Sequence, residues 1–392
     1  MKRPRFGARD RLSRDAAELQ RLAIGQSESG SMLEDRFWNN RLAGLTRDLL
    51  RSGAEDDLTI AMDRLYESHP PAYDELANMV EAQAESCELD IGGARYDILL
   101  FAAPILAWSR YAIPTCRLGA NNLNMLKVQL SAHVFGAHAR LALVDYLFSP
   151  DQLPHNFCDI RELTESLGAE AIAGNDMAMD TGNLPETYRF LSDQRYLIGA
   201  VAVPQGDPIF RWNEADGSRE TARAAWSKQG GSSLAPLFTG CAWQVLLADA
   251  YHHACRQGDL ESRSYAIKAS VAFLQTTLGL LPGELCAVIA PCYDQRLEEY
   301  RIGLMPRGHD HQVYHGVVWA LLGTEDENSE IVNQIDTLLR ECGLSSIVSL
   351  DTHMPMEFCD DCGAPLFPTV DGELVDAALP ESVENSIAQT LH

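Results

Sequence analysis

The chain has little positive charge. Its 392 residues include 31 Lys and Arg against 56 Asp and Glu, which gives a formal net charge of −25. Such a field repels the phosphates of nucleic acids and of anionic lipids, so neither is expected as a general partner. The exception is a local basic arm at residues 1–14, MKRPRFGARDRLSR, which either contacts an acidic partner or stays solvated.

Long apolar runs are also missing. The longest, ILLFAAPILAW at residues 98–108, is much shorter than the roughly 20 residues that a membrane-spanning helix needs. The basic start is followed by Asp10 and an amphipathic pattern rather than by the apolar region of a secretion signal. We therefore expect a cytoplasmic protein.

The ten cysteines show no disulfide framework. They are scattered along the chain, and only Cys359 and Cys362 form a close C-x-x-C pair. In a reducing compartment, the others are expected to be buried free thiols. The phosphate-binding loop, the dinucleotide-binding glycine motif and the G-x-S-x-G elbow are absent as well, so no motif assigns a reaction.

Residues 9–86 have the apolar spacing of four amphipathic helices. Ser31 and Glu34 stand in capping-box register at the predicted start of the second helix. Gly53 is placed to end this helix in the left-handed conformation. The short connections predict two antiparallel hairpins, which form a helical domain over residues 1–88 together with the basic arm.

From about residue 89 the pattern becomes extended and recurs. Three strands are predicted, at residues 95–104 (RYDILLFAAP), 195–204 (RYLIGAVAVP) and 284–291 (ELCAVIAP). A second strand is expected after each, at residues 108–118, 209–213 and 296–305. A helix is expected next, at residues 121–136, 218–229 and 309–323. The recurrence either reflects duplication of a strand-strand-helix unit, over residues 89–185, 190–280 and 281–350, or arises by chance.

Further apolar runs complete the predicted architecture. Residues 141–148 and 243–251 are expected to be interior strands, residues 262–278 a helix, and residues 173–185 a loop. The fold class is therefore α+β. A helical amino-terminal domain is followed by a mixed α/β region over residues 89–350 and by an acidic tail at residues 351–392.

The tail contains the most specific chemical signal, FCDDCG, with Cys359 and Cys362 in a tight turn closed by Gly363. Two thiolates at this spacing are typical of one half of a structural zinc site, which needs four ligands. The other ligands must come from isolated residues or from a second subunit. The candidates are Cys286, Cys292, Cys342, His309, His311, His315 and His353.

Two other interpretations of the C-x-x-C pair remain open, namely a redox pair and unliganded thiols. The redox interpretation is disfavoured because Asp360 and Asp361 are expected to raise the thiol pKa values.

A second candidate site is the segment GHDHQVYH. His311 and His315 would share one face of a helix starting near His309, at a spacing that can chelate a metal ion. With nearby carboxylates, they would form the site of a metal-dependent hydrolase. Alternatively, His309 and Asp310 cap the helix, and His311 and His315 are ordinary polar residues.

Weaker candidates lie at the ends of predicted strands. Asp145 and Asp249 occupy comparable positions in the first two units and could bind a cation or act as acid and base. His252, His253 and Cys255 are expected to be core or surface residues.

Three stretches, MKRPRFGARDRLSRDA, ESGSMLEDRFW and MPMEFCDDCGAPLFP, resemble an uncharacterised bacterial family known as domain of unknown function twenty-eight sixty-three. The resemblance extends over nearly the whole chain. It implies a cytoplasmic bacterial protein and carries over no activity or catalytic residue.

These observations favour a non-enzymatic interaction or regulatory protein, in which a structural zinc ion at Cys359 and Cys362 holds the tail against the body. Its partner would be another protein or a second copy of the chain. The alternatives are the metal-dependent hydrolase described above and a protein that binds a small ligand in a cleft between the repeated units.

Overall fold

The computed structural model describes residues 12–187, 189–309 and 311–380. Most of the basic arm, the capping role of Asp310 and the last part of the acidic tail lie outside these ranges. The described chain is an α+β protein with an amino-terminal helical bundle and two main sheets. None of its described helices combines the length and the apolar character that crossing a bilayer requires.

The bundle has the four helices that the apolar spacing predicts. They are α1 Arg14–Ser27, α2 Met32–Ser52, α3 Glu55–Ser68 and α4 Pro70–Glu85. Ser31 caps α2, since its hydroxyl accepts the N–H of Glu34 at 3.3 Å. Gly53 ends α2 with φ +73°, in the left-handed region that favours glycine. Both capping predictions are confirmed.

The first sheet has seven strands. These are β1 Ser86–Ile91, β2 Ala94–Trp108, β3 Cys116–Arg117, β4 Arg140–Phe148, β5 Ser192–Pro204, β6 Ala242–Val245 and β7 Asp249–Ala250. Their order is β1-β2-β5-β4-β3, and β6 and β7 also pair with β2. The long strands β2 and β5 are buried over most of their length, which agrees with their continuous apolar sequences.

Helices cover both faces of this sheet. They are α5 Ala120–His133, α6 Phe157–Ala173, α7 Arg219–Ala225, α8 Gly231–Leu234 and α9 Tyr251–Leu278, with a π-helical turn at Trp226–Gly230 joining α7 to α8. The bundle, α6 and the start of α9 pack on one face. On the other face lie α5 and the segment from α7 to α8.

Two glutamates attach the bundle to this layer. The carboxylate of Glu55 accepts the N–H groups of Phe157 and Cys158 at the start of α6. Glu85 accepts the N–H of His252 in the first turn of α9 at 2.8 Å. A carboxylate is favoured at a helix amino terminus, where backbone N–H groups lack partners. Burial nevertheless raises the pKa of Glu85 to about 7.

The second sheet is built on the carboxyl-terminal half of α9. Its strands are β8 Leu285–Tyr293, β9 Leu297–Pro306, β10 His315–Ala320, β11 Ser346–Ser349 and β12 Met354–Pro355. Helix α10, Ile331–Glu341, lies between β10 and β11 in the chain. The strand order is β10-β9-β8-β11, and β12 pairs with β8. A separate two-stranded hairpin, β13 Phe367–Pro368 and β14 Leu374–Val375, follows.

The first strand of each predicted unit is confirmed, but the strand-strand-helix order is not. Residues 108–118 form a strand only at their ends. In between, the guanidinium of the buried Arg195 donates hydrogen bonds to the backbone oxygens of Ile113 and Pro114 at 2.9 Å, so these oxygens are not available for strand pairing. Residues 209–213 contain a 3-10 turn instead of a strand. Residues 296–305 do form β9.

The helix predicted at residues 309–323 is wrong, because this segment contains β10. Val317 and Trp319 are buried at a spacing of two, and β10 pairs with β9 throughout its length. The helices at residues 121–136 and 218–229 are confirmed by α5 and α7. The strand at residues 141–148 is β4, whereas residues 243–251 hold two short strands and the start of α9.

Strands β2 and β5 nevertheless pair symmetrically. The segments 95–104 and 195–204 pair antiparallel, with Tyr96 opposite Pro204 and Pro104 opposite Tyr196. A local two-fold axis near Leu100 therefore relates the two segments. This is the pairing that two equivalent units would give. Duplication of residues 89–185 and 190–280 stays a prediction.

Candidate metal centre

The second sheet has a glycine platform on the face opposite α9 and α10. Gly303 of β9 and Gly316 of β10 are directly paired. A Cβ atom on Gly303 would lie 2.4 Å from the carbonyl oxygen of Pro368, and one on Gly316 would lie 2.3 Å from the Phe367 ring. Only glycine allows β13 to approach the sheet this closely. Residues 356–376, called the ribbon below, lie over this platform.

Arg301, also on β9, fixes the base of the ribbon. Its side chain is fully buried, and its Nε donates to a carboxylate oxygen of Glu299 at 2.7 Å. Nη1 donates to the backbone oxygens of Glu357 and Leu366, the latter at 2.9 Å. These two carbonyls lie on opposite strands of the ribbon. The guanidinium therefore holds both strands to the sheet with charge-assisted hydrogen bonds.

The C-x-x-C turn lies just beyond this clamp. The N–H of Cys359 donates to the oxygen of Ala364 at 2.7 Å, and the N–H of Gly363 donates to the oxygen of Cys359 at 2.8 Å. Gly363 has φ +73°, as a tight turn of this kind requires. Phe358 and Pro365 form an antiparallel bridge beneath the turn. The two thiols are thus presented from one rigid turn.

The hairpin β13–β14 supplies a third donor. Thr369 is buried and accepts the N–H of Gly372, which has φ +82° at the hairpin turn. β14 then runs back towards the C-x-x-C turn, and Asp376 follows its last residue directly. The hairpin register thereby places a carboxylate next to the two thiols.

Cys359, Cys362 and Asp376 form a group whose ligand atoms all lie within 4.8 Å of one another. The thiol of Cys362 is 3.8 Å from Oδ2 of Asp376. In a tetrahedral zinc site, ordinary Zn–S and Zn–O lengths place sulfur and oxygen ligands roughly 3.6 Å apart. The group could hold a metal ion. Within the described residues, it is the one such group of three or more His, Cys, Asp or Glu side chains.

The electrostatics of the turn differ from those predicted from Asp360 and Asp361. The backbone N–H groups of Cys362 and Asp361 lower the pKa of the Cys359 thiol. The carboxylate of Asp376, the Cys362 thiol and desolvation by burial raise it, and the pKa ends above its ordinary value. A bound cation would reverse this balance, because metal binding stabilises thiolates.

The other cysteines named as ligand candidates lie away from this group. Cys286 and Cys292 are buried in β8, where Cys286 accepts a hydrogen bond from Ser346 at 3.5 Å. Cys342 is half-buried at the carboxyl end of α10, and burial raises its pKa.

The histidine candidates are separated from one another. His353 stacks on Tyr293, with ring centroids 4.1 Å apart. His311 is exposed and pairs with Asp371 at 2.8 Å. His315 points towards Phe273 of α9, and burial lowers its pKa to about 4. His309 is exposed in the loop before β10. The structure does not bring these side chains together into a hydrolase site.

Asp145 and Asp249 each pair with an arginine. Arg117 donates to Asp145 at 2.9 Å, and Arg219 donates to Asp249. Their strands, β4 and β7, lie on opposite sides of the central β2–β5 pair. His253 lies 3.7 Å from Asp249. The two aspartates therefore take part in separate ion pairs.

His252 and Cys255 are both half-buried near the start of α9. Burial lowers the pKa of His252 and raises that of Cys255 to about 12. Both shifts favour the neutral forms, which is the ordinary behaviour of buried side chains.

A cleft of about 270 Å³ lies between the start of β5, α9 and β10. Its polar side chains mostly bond to one another or to close neighbours. Gln194 donates to Asp259 at 3.1 Å, and Arg263 pairs with Glu325 at 2.6 Å. This cleft is the place where a small ligand between the predicted units would bind, but its geometry selects no ligand class.

Sequence reasoning missed Asp376 and Arg301. Asp376 is 14 residues from Cys362, and only the hairpin register brings the two together. The signal that was present is the Asp371-Gly372 pair between two short apolar runs, which is typical of a hairpin turn. Arg301 stands in an apolar strand and has no local pattern that would reveal its partners.

Comparison with known proteins supports the resemblance noted in the sequence. No curated protein and no solved structure matches the chain. One family model, described as "Protein of unknown function (DUF2863)", matches residues 4–390. This match covers nearly the whole sequence and confirms the family expected from the three quoted stretches. The chain therefore belongs to the DUF2863 family.

Proposed function

We propose that this chain is a non-enzymatic interaction or regulatory protein whose ribbon carries one structural zinc ion. The observation that carries the proposal is the convergence of Cys359, Cys362 and Asp376 from two separate turns. The two sulfur atoms and the carboxylate lie within reach of a single ion, and a bound cation would stabilise the thiolate forms that bind metal.

The donor set favours zinc among the common metal ions. Two thiolates are poor ligands for magnesium and calcium, which take oxygen ligands, whereas zinc accepts sulfur and carboxylate together. All ten cysteines are free in the structure. Free thiols are expected in a reducing compartment, which supports a cytoplasmic location as part of the proposal.

The position of the group supports a structural role. Cys362 and Asp376 are exposed at the outer end of the ribbon, while Arg301 and Phe367 hold its inner end. Clefts of about 160 to 430 Å³ on the described surface are lined by other residues. A hydrolase needs a concave site for its substrate, whereas a surface that contacts another protein does not.

Metal analysis of the purified protein tests the proposal. We expect about one zinc per chain after purification without chelators, as for a single structural site. Cys359→Ser and Asp376→Asn should lose most of this zinc. Cys342→Ser is the matched control for removal of a thiol, and His311→Ala tests the hydrolase set. Both should keep the metal. Zinc retained by Cys359→Ser, or lost only in His311→Ala, would overturn the proposal.

A further inference from the structure

The candidate centre has three protein ligands, whereas structural zinc takes four. Cys359, Cys362 and Asp376 form the group, and none of the described histidines joins it. Resting on the zinc proposed above, we propose that the fourth coordination position binds a histidine side chain of another protein, so that the ribbon is a metal-dependent docking site.

The centre is accessible to a ligand from outside. Cys362 and Asp376 are both exposed, and Cys359 is only half-buried. The thiols lie at the tip of the ribbon, beyond the bridge between Phe358 and Pro365. The clamp of Arg301 is on the inner side. A fourth ligand therefore approaches from solvent without displacing any packed element of the described residues.

The charge of the centre selects among the usual zinc ligands. Two thiolates and one carboxylate around a divalent cation leave a net charge of −1. Asp360 and Asp361 lie in the same turn, and no Lys or Arg occurs after Arg340 in the sequence. A thiolate or carboxylate as fourth ligand would add another negative charge to this field. A neutral imidazole adds none, so histidine is the ligand that the surroundings favour.

The described histidines nearby have other partners. His311 pairs with Asp371 at 2.8 Å, and His353 stacks on Tyr293. His315 contacts Phe273 on the opposite face of the sheet. None of the described histidines supplies the imidazole, and His392 lies outside the described residues. We assign the ligand to a partner chain, and a Co²⁺ spectrum already altered by His392→Ala before any titration would overturn this assignment.

An apolar surface lies beside the open position. Phe358 directly precedes Cys359 and is 49% exposed, while Arg301 stacks against its ring at 5.0 Å. One face of the Phe358 ring thus contacts the Arg301 guanidinium, and the rest of the ring faces solvent. A partner segment with an apolar residue next to its histidine would contact the metal and this ring together.

Cobalt substitution provides the test, because the visible spectrum of Co²⁺ reports both thiolate ligation and coordination geometry. The full chain is loaded with Co²⁺ and titrated with imidazole, with acetate as the matched probe. We expect thiolate-to-cobalt absorption before titration, a saturable change of the d–d bands with imidazole, and no change with acetate at the same concentration. The Cys342→Ser protein should behave like the wild type.

The outcomes separate this inference from the proposed function. If Co²⁺ shows no thiolate absorption, the metal centre itself fails. If thiolate absorption is present but imidazole changes nothing, or acetate acts equally, the metal centre stands and the docking position is overturned.

A second measurement tests the contact with Phe358. Acetyl-histidyl-leucine amide should bind to the cobalt protein roughly fivefold more tightly than acetyl-histidine amide, because a leucine side chain is partly buried. Phe358→Ala should remove this difference while leaving the thiolate absorption and the imidazole response intact. Equal affinities of the two probes for the wild-type protein would overturn the apolar part of the site.

Discussion

The two faces of the second sheet are covered in different ways. On one face, α9 and α10 bury an apolar core that includes Ile267, Leu274, Ile335 and Leu339. On the other, the ribbon contributes one large buried side chain, Phe367, and is held by hydrogen bonds from Arg301. A helix with an apolar stripe is fixed by burial alone. A short segment with few apolar residues needs a buried charge, a close-approach platform and, in our proposal, a metal ion.

The largest effect is expected from removal of the clamp. Arg301→Met would leave the carboxylate of Glu299 and two ribbon carbonyls without their donor, so we expect a loss of about 4 kcal/mol in the free energy of unfolding. Urea titration measures the free energy of unfolding of both proteins. Arg296→Met is the control, because the exposed Arg296 donates only to surface groups, Glu298 and the hydroxyl of Tyr66, and should change stability by less than about 0.5 kcal/mol. Equal losses in the two variants would contradict the role of Arg301.

The helix-covered face should respond to loss of volume. Ile335→Ala removes a fully buried side chain of α10, and we expect a loss of about 3 kcal/mol. The exposed Asn333→Ala on the same helix should be nearly neutral. Neither substitution should alter zinc content, because α10 and the ribbon lie on opposite faces of the sheet. Loss of zinc in a folded Ile335→Ala protein would show that the two faces are not independent.

Acid should weaken the helix-covered face through His315. Burial lowers its pKa from 6.5 to about 4, so between these values the unfolded chain binds a proton that the folded chain does not. This stability is present above pH 6.5 and is lost as the pH falls towards 4. Full linkage corresponds to about 3 kcal/mol, and partial solvent exposure of the residue reduces the expected loss to about 2 kcal/mol.

Measurements of the unfolding free energy between pH 7 and pH 4 test this prediction by giving the slope of stability against pH. His315→Gln should flatten it, and the exposed His311→Gln should leave it unchanged. An unaltered slope in His315→Gln would contradict the assignment.

The glycine platform should be destabilised by any residue that carries a Cβ atom. Gly316→Ala forces the Phe367 ring to shift from a position 2.3 Å away, at an expected cost of about 1.5 kcal/mol. Hydrogen exchange should be faster in the ribbon and unchanged in α10. Gly44→Ala is the control, because no atom lies within 4 Å of its Cβ position in α2, and it should be neutral or stabilising. Unchanged exchange in the ribbon of Gly316→Ala would contradict the packing.

Chelation should have the smallest effect on the whole molecule. Because Arg301 and Phe367 hold the inner end of the ribbon without a metal, removal of zinc should open only its outer end. We expect amides of residues 358–376 to exchange about tenfold faster, with little change in the unfolding midpoint. Global unfolding on chelation would show that the metal, rather than the buried arginine, attaches the ribbon to the sheet.

The sequence predicted local features better than those set by tertiary pairing. The four helices of the bundle follow from apolar spacing and capping residues, and the C-x-x-C turn follows from two ligands and a glycine within five residues. The helix predicted at residues 309–323 is wrong because the four-residue spacing of His311 and His315 does not exclude a strand, and only the pairing of β10 with β9 selects the strand. Asp376 joins the thiols through a hairpin register, which sequence spacing does not specify.

The most direct test of the metal centre is X-ray absorption at the zinc edge of the purified protein. We expect two sulfur ligands at about 2.3 Å and two nitrogen or oxygen ligands at about 2.0 to 2.1 Å, from Cys359, Cys362, Asp376 and one external ligand. A spectrum with only nitrogen and oxygen ligands, or with four sulfur ligands, would contradict it.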